Sequence, residues 1–114
     1  METHTGKCLC GEVTYEVSGD PVLQGNCHCI DCRKNTGAGF ATILFFKEEQ
    51  VAQLRGKTSS FQYKSDSGNS KTKLFCQRCG SVVLGNNSGR PGIMSVYVGT
   101  LDDACFVTPQ FNVY

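Results

Sequence analysis

Three observations predict a mainly β fold for this chain. Its 114 residues include 13 glycines. No stretch sustains a long 3.6-residue apolar period. Several short runs instead alternate, or stay apolar, between turn signals. The length suits one small domain, residues 1–114, and not two.

The elements follow in order. "EVTYEV" at 12–17 alternates Val13, Tyr15 and Val17 with Glu12, Thr14 and Glu16, the pattern of a half-buried strand with one wet face. "GDP" at 19–21 is a turn signal. "FATILFF" at 40–46 reads as a strand covered on both faces, with Phe40, Phe45 and Phe46 in the core. "KEEQVAQLRG" at 47–56 fits either a helical turn or a short strand around Val51–Leu54 that ends at Gly56. "SFQYKSDSGNSKTKLFC" at 60–76 reads as a hairpin, with the polar "SDSGNS" as its connection. "SVVLG" at 81–85 and "IMSVYVG" at 93–99 are two further strands, split by the loop "NNSGRPG" at 86–92. No internal repeat and no linker divides the chain.

Composition excludes several classes. The formal net charge is +1 and charged residues make up 18% of the chain, which argues against a nucleic-acid-binding surface or an acidic tail. "METHTGKC" has no apolar stretch of the signal-peptide kind, and "FATILFF" is far too short to span a bilayer. The expectation is a cytoplasmic protein with neither a membrane nor a nucleic-acid partner. In a reducing compartment its eight cysteines read as metal ligands before disulfide partners. Exposed sheet edges would make a homodimer unsurprising.

The cysteines fall into three clusters. Cys8 and Cys10 form C-x-C, Cys27, Cys29 and Cys32 form C-x-C-x-x-C, and Cys76 and Cys79 form C-x-x-C. On an extended strand, residues i and i+2 share a face, so each C-x-C pair can aim two sulfurs at one point. "CQRCG" at 76–80 is a thiolate knuckle, and Gly80 can take the positive φ such a turn often needs. Zinc favours four ligands in a tetrahedron. Cys8, Cys10, Cys76 and Cys79 complete one closed site that staples distant segments together. Cys27, Cys29 and Cys32 make a site of three with one position open. Two alternatives stay open at this level. One is a disulfide framework. The other is a pair of closed sites, with Cys105, His28 or His4 as an eighth ligand. On a strand His28 points away from its neighbouring sulfurs, so packing or hydrogen bonding is expected of it. His4 is expected in a frayed terminus and Cys105 as a small buried apolar residue.

"GKCLCGEVTYEV", "NCHCIDCRKNTGAGFAT" and "FCQRCGSVV" closely resemble, in order and spacing, the glutathione-dependent formaldehyde-activating enzyme family. That family takes in S-(hydroxymethyl)glutathione synthase and centromere protein V-like proteins. The resemblance runs from about Gly6 to about Gly99. It implies a β-tent of small packed antiparallel sheets and two zinc ions per chain. The structural zinc would lie on Cys8, Cys10, Cys76 and Cys79, and the catalytic zinc on Cys27, Cys29 and Cys32. Many members carry a histidine in their closing aromatic strand and then run on. This sequence has Asn112 in "TPQFNVY". That difference bears on substrate identity more than on the metal sites.

The chemistry follows from charge. Three thiolates on Zn²⁺ leave a formal −1, a weak Lewis acid toward water but a good holder of a fourth thiolate. A thiol fixed beside an electrophile forms a C–S bond with a smaller entropic barrier. The expected activity is that of a carbon–sulfur lyase, joining a thiol such as glutathione to formaldehyde or another small aldehyde, or the reverse. The alternative is a non-catalytic zinc module for protein interaction. Arg33 and Lys34 follow Cys32 directly, and would offset the cluster's charge, bind a carboxylate of the thiol peptide, or form a solvated turn. Gly37 and Gly39 would allow close backbone approach to a ligand or a tight turn.

Overall fold

The computed structural model describes residues 2–113. Ten strands and one helix follow in order. They are β1 (Thr3–Lys7), β2 (Thr14–Ser18), β3 (Leu23–Cys27), α1 (Ile30–Thr36), β4 (Ala41–Lys47), β5 (Val51–Arg55), β6 (Thr58–Lys64), β7 (Ser70–Cys76), β8 (Val82–Asn87), β9 (Ile93–Tyr97) and β10 (Asn112–Val113). They form a three-stranded sheet, β1-β2-β5, and a seven-stranded sheet, β10-β3-β4-β9-β8-β7-β6. The mainly β expectation holds. Every pairing is antiparallel except β10 with β3, which is parallel.

The two-residue period of a strand sorts side chains between two places. Val13, Tyr15 and Val17 are buried with Leu44, Phe46, Leu84 and Val96 in the main core between the sheets. The intervening residues of β4 and β9 face the other way. Ile43 lies opposite Tyr97 and Phe45 opposite Ser95. Ile43 joins Cys32 and Ala41 in a second, smaller cluster, with Phe45 and Tyr97 packed against it. The large sheet therefore has one face that makes the core and one that makes a site.

The hairpin of β6 and β7 turns at the polar connection "SDSGNS", as expected. "KEEQVAQLRG" resolves into both readings in succession, a 3₁₀ turn at Glu48–Gln50 and then β5. Three expectations need correction. β1 is an ordered strand, and His4 on it stacks on Phe106 at 3.8 Å between ring centroids, so this end is packed rather than frayed. α1 was not expected. Cys29 caps its start, its sulfur accepting from the Cys32 amide, and Gly37 ends it in the left-handed conformation at φ 72°. Phe40 is 43% exposed rather than core, because it lies in the turn after α1 and covers His28 instead.

Gly56 offers a test of the packing between β5 and the segment before β2. Its φ is +97°, and an added Cβ would overlap the Glu12 carbonyl oxygen. Gly56→Ala combines left-handed strain with a backbone collision, together about 3 kcal/mol or more. The expected result is a fall in thermal midpoint of about 10 °C or more. At Gly37 φ is also positive but the Cβ meets open space. Gly37→Ala should cost only about 1 kcal/mol. Equal midpoints for the two variants would refute the collision.

Candidate metal centre

The four sulfurs of Cys8, Cys10, Cys76 and Cys79 lie within 4.8 Å of one another, and so do those of Cys27, Cys29 and Cys32. The fold brings the first set together from two turns. Cys8 and Cys10 sit just after β1 in a turn, not on an extended strand, and the Gly11 amide donates to the Cys8 carbonyl at 3.1 Å. Cys76 ends β7, and the turn to Cys79 closes through Gly80, whose φ is 78°. The Cys8 and Cys10 sulfurs are 3.6 Å apart, and those of Cys10 and Cys76 are 3.7 Å apart. Those spacings match the roughly 3.8 Å edge of a tetrahedron with ~2.3 Å metal–sulfur bonds. They are far longer than a disulfide bond of about 2.05 Å. All eight cysteines are free.

The second set forms at a strand-to-helix corner. Cys27 ends β3, Cys29 caps α1 and Cys32 lies in its first turn. The sequence placed Cys27 and Cys29 on one strand. The structure reaches the same convergence through the corner, with their sulfurs 3.4 Å apart.

Backbone amides point at the sulfurs in both sets. Val13 donates to Cys8 at 3.2 Å, Arg78 and Cys79 donate to Cys76 at 3.3 and 3.4 Å, and Cys32 donates to Cys29 at 3.3 Å. Such donors favour thiolate over thiol. The Ser81 hydroxyl and amide, with the Cys10 amide, hold Cys79 down to about 5. The Glu12 amide favours ionised Cys10, but burial and its sulfur neighbours outweigh that and push it up to about 11. Burial opposes ionisation of Cys29, yet the Cys32 amide, the neighbouring thiols and the charge of Lys71 bring it below its usual value. Burial and the same neighbours push Cys32 up. Sulfurs this close cannot all ionise unless a cation shares their charge. Both clusters fit a metal ion.

They differ in what lies beside them. Cys8 and Cys76 are buried in the main core. Cys27 and Cys32 line a cavity of about 270 Å³ on the other face of the large sheet. Phe111 closes part of that cavity, its ring filling the space a side chain at Gly25 would need. Lys71 and Arg90 also line it, with the Arg90 guanidinium 4.6 Å above the centre of the Phe45 ring. Burial pushes Tyr63 up to about 12, helped by negative charge at Cys32 and Asp31, so it stays a protonated phenol in the cavity wall.

The structure does not bring Arg33 and Lys34 to this cavity. Arg33 is exposed, and Lys34 borders a separate groove with Asp31, Asn35 and Lys73. Neither lines the cavity, whereas Lys71 reaches it from β7 and Arg90 from the turn before β9. Those two cations were missed, and only the pairing of β3, β4, β9, β8 and β7 could have revealed them. Phe45 lies in the cavity wall rather than the core. His28 is a hydrogen-bonding residue, its Nε2 3.2 Å from the Asn112 side-chain oxygen. Asn112 also accepts from the Asn26 side-chain amide at 3.0 Å, so it ties β10 to β3. Cys105 is exposed in a turn, not buried, and its amide donates to Asp103.

A mainly β scaffold with two cysteine clusters, one in the core and one opening on a cavity, defines a small protein built around two candidate metal sites. The chain belongs to the glutathione-dependent formaldehyde-activating enzyme family, whose sequence model matches residues 3–114. Its fold is similar to the crystal structure of a protein from Rhodobacter sphaeroides, at 22% identity and a TM-score of 0.71. That likeness covers 96% of this chain and 99% of the other. No helix among the described residues is long and apolar enough to cross a membrane.

Proposed function

We propose that the protein joins a thiol, glutathione by its family, to formaldehyde or another small aldehyde, or runs the reverse reaction as a carbon–sulfur lyase. The observation that carries this reading is the asymmetry of the clusters. Two members of the three-cysteine set, Cys27 and Cys32, line the cavity, and no member of the four-cysteine set does. Cys8, Cys10, Cys76 and Cys79 would hold a structural zinc ion. Cys27, Cys29 and Cys32 would hold a second, which when bound supplies a centre that stabilises an incoming thiol as its thiolate. The chain's own residues supply the rest. Gly25, Ile43 and Phe111 give the cavity an apolar side. Lys71 and Arg90 place positive charge where the carboxylates of a thiol peptide would lie, taking the role first expected of Arg33 and Lys34.

The test uses protein carrying cobalt in place of zinc, whose visible spectrum reports ligand number and type. Metal content should be two ions per chain. Glutathione should intensify the sulfur-to-cobalt charge-transfer bands and release about one proton per site. Lys71→Ala or Arg90→Ala should weaken glutathione about tenfold, the loss of one charge-assisted contact, and leave a small neutral thiol unaffected. A spectrum already showing two complete four-sulfur sites and indifferent to millimolar thiols would refute the reading.

A further inference from the structure

One phenol in the cavity wall is held so that its proton is free. Tyr97 lines the cavity from β9 and packs against the buried cluster of Cys32, Ala41 and Ile43, as Cys27 and Cys29 also do. Its oxygen accepts a 2.7 Å hydrogen bond from the Asn35 side-chain amide. Asn35 lies three residues beyond Cys32 on α1, so both sit on the same side of the helix. The other amide atom, Asn35 Oδ1, is buried with no hydrogen-bond partner. Turning the amide over would place Oδ1 on the phenol and leave both N–H groups of Nδ2 buried without acceptors. As placed, the amide leaves one N–H and one carbonyl unpaired; exchanging that carbonyl for a second orphaned N–H costs more, so the amide donates. A phenol that accepts from Asn35 keeps its own O–H for a different partner. Among the described residues no acceptor takes it.

We propose that Tyr97 donates a hydrogen bond to the oxygen of the aldehyde, and that Asn35 is the positioning residue that aims its O–H. The proposal rests on the thiol–aldehyde reading above. In the forward step a sulfur lone pair forms the C–S bond. The C=O π pair moves onto oxygen, which then takes a proton from water. That proton replaces the one the thiol gives up on binding, so the addition is balanced and nothing is oxidised or reduced. Tyr97 keeps its proton throughout. Its dipole meets negative charge as it develops on the oxygen, in a site where that contact is worth most. Tyr63 also lines the cavity, but among the described residues no side chain hydrogen-bonds its hydroxyl.

The experiment compares the zinc-loaded wild type with Tyr97→Phe, Asn35→Asp and the double variant, measuring thiohemiacetal formation from glutathione and formaldehyde. Glutathione affinity is read separately from the cobalt spectrum. Tyr97→Phe should lower kcat about a hundredfold, the low end for loss of one such donor, while glutathione affinity stays within about twofold. Asn35→Asp should lower kcat comparably, because a carboxylate accepts the phenolic proton and turns it away from the cavity. The double variant should be no worse than Tyr97→Phe, since both changes remove one contact. A readout independent of turnover is the tyrosine ring-vibration doublet, whose intensity ratio separates accepting from donating phenols. The Tyr97 contribution, obtained by difference against Tyr97→Phe, should be that of an acceptor in the zinc-loaded, substrate-free wild type and of a donor in zinc-loaded Asn35→Asp. An active wild type matched by an equally active Tyr97→Phe would overturn this proposal alone, as would parallel losses of kcat and glutathione affinity. A wild type that gives no acceleration at all would overturn the parent reading and this one with it.

Discussion

Cys76→Ser is expected to leave the chain unfolded or insoluble. Cys76 is fully buried in the main core, and its sulfur lies 3.7 Å from that of Cys10 across most of the sequence. A structural zinc site contributes about 10–16 kcal/mol of apparent folding free energy in small zinc-dependent peptides. A whole domain is stable by only about 5–15 kcal/mol. Losing the site therefore removes an amount comparable to the entire stability. Serine adds a second penalty. Its polar hydroxyl would replace a sulfur that is fully buried among the apolar side chains of the main core. The measurement is soluble yield together with far-ultraviolet circular dichroism in the presence of zinc. A soluble, β-rich Cys76→Ser protein with a wild-type thermal midpoint would show that the four-cysteine cluster does not hold the fold together.

Cys29→Ser is expected to do the opposite, keeping the fold and abolishing turnover. Cys29 is the N-cap of α1, and its sulfur accepts from the Cys32 amide. Serine is among the best N-cap residues, so its oxygen takes over that amide and the helix start survives. As a zinc ligand it is poor. The ion proposed for Cys27, Cys29 and Cys32 should be lost while the other is retained, halving the zinc content. Acceleration of thiohemiacetal formation should fall to the uncatalysed rate, and the glutathione response of the cobalt form should vanish. Circular dichroism and the thermal midpoint should change little. Unfolding as complete as that of Cys76→Ser would mean that the second cluster is structural too, and would favour a binding module over an enzyme.

Legibility of the fold from sequence followed the range of the interactions involved. The strand of Tyr15 and Val17 was readable because burial on a sheet face imposes a two-residue period on the chain itself, and that of Leu44 and Phe46 because its apolar run is unbroken. α1 was not, because a seven-residue helix is too short to show a 3.6-residue period. Its stability comes from its cap and from Cys32 packing on Ala41 and Ile43. The cysteine clusters were readable because ligand spacing is a local signal, even where the backbone delivering the sulfurs proved to be a turn and a corner. Lys71 and Arg90 were not, since a cation's place in the cavity depends on the order β10-β3-β4-β9-β8-β7-β6. Adjacency to Cys32 favoured Arg33 and Lys34, which the helix turns outward.

The two clusters also differ in when they can exist. Cys27, Cys29 and Cys32 fit within one short corner, so the chain needs little loop closure to bring them together. The four-cysteine set needs the turn after β1 to meet the turn after β7, and so waits until Cys79 has been made. During synthesis, from the N-terminal end, the local cluster is complete first. In a chain that takes up zinc as it emerges, the first ion would go to the cavity site and the last to the staple. Zinc scarcity would then strand nascent chains with a loaded reactive corner on an unfinished scaffold. The timing of metal supply, and not only its amount, would set the yield of folded protein.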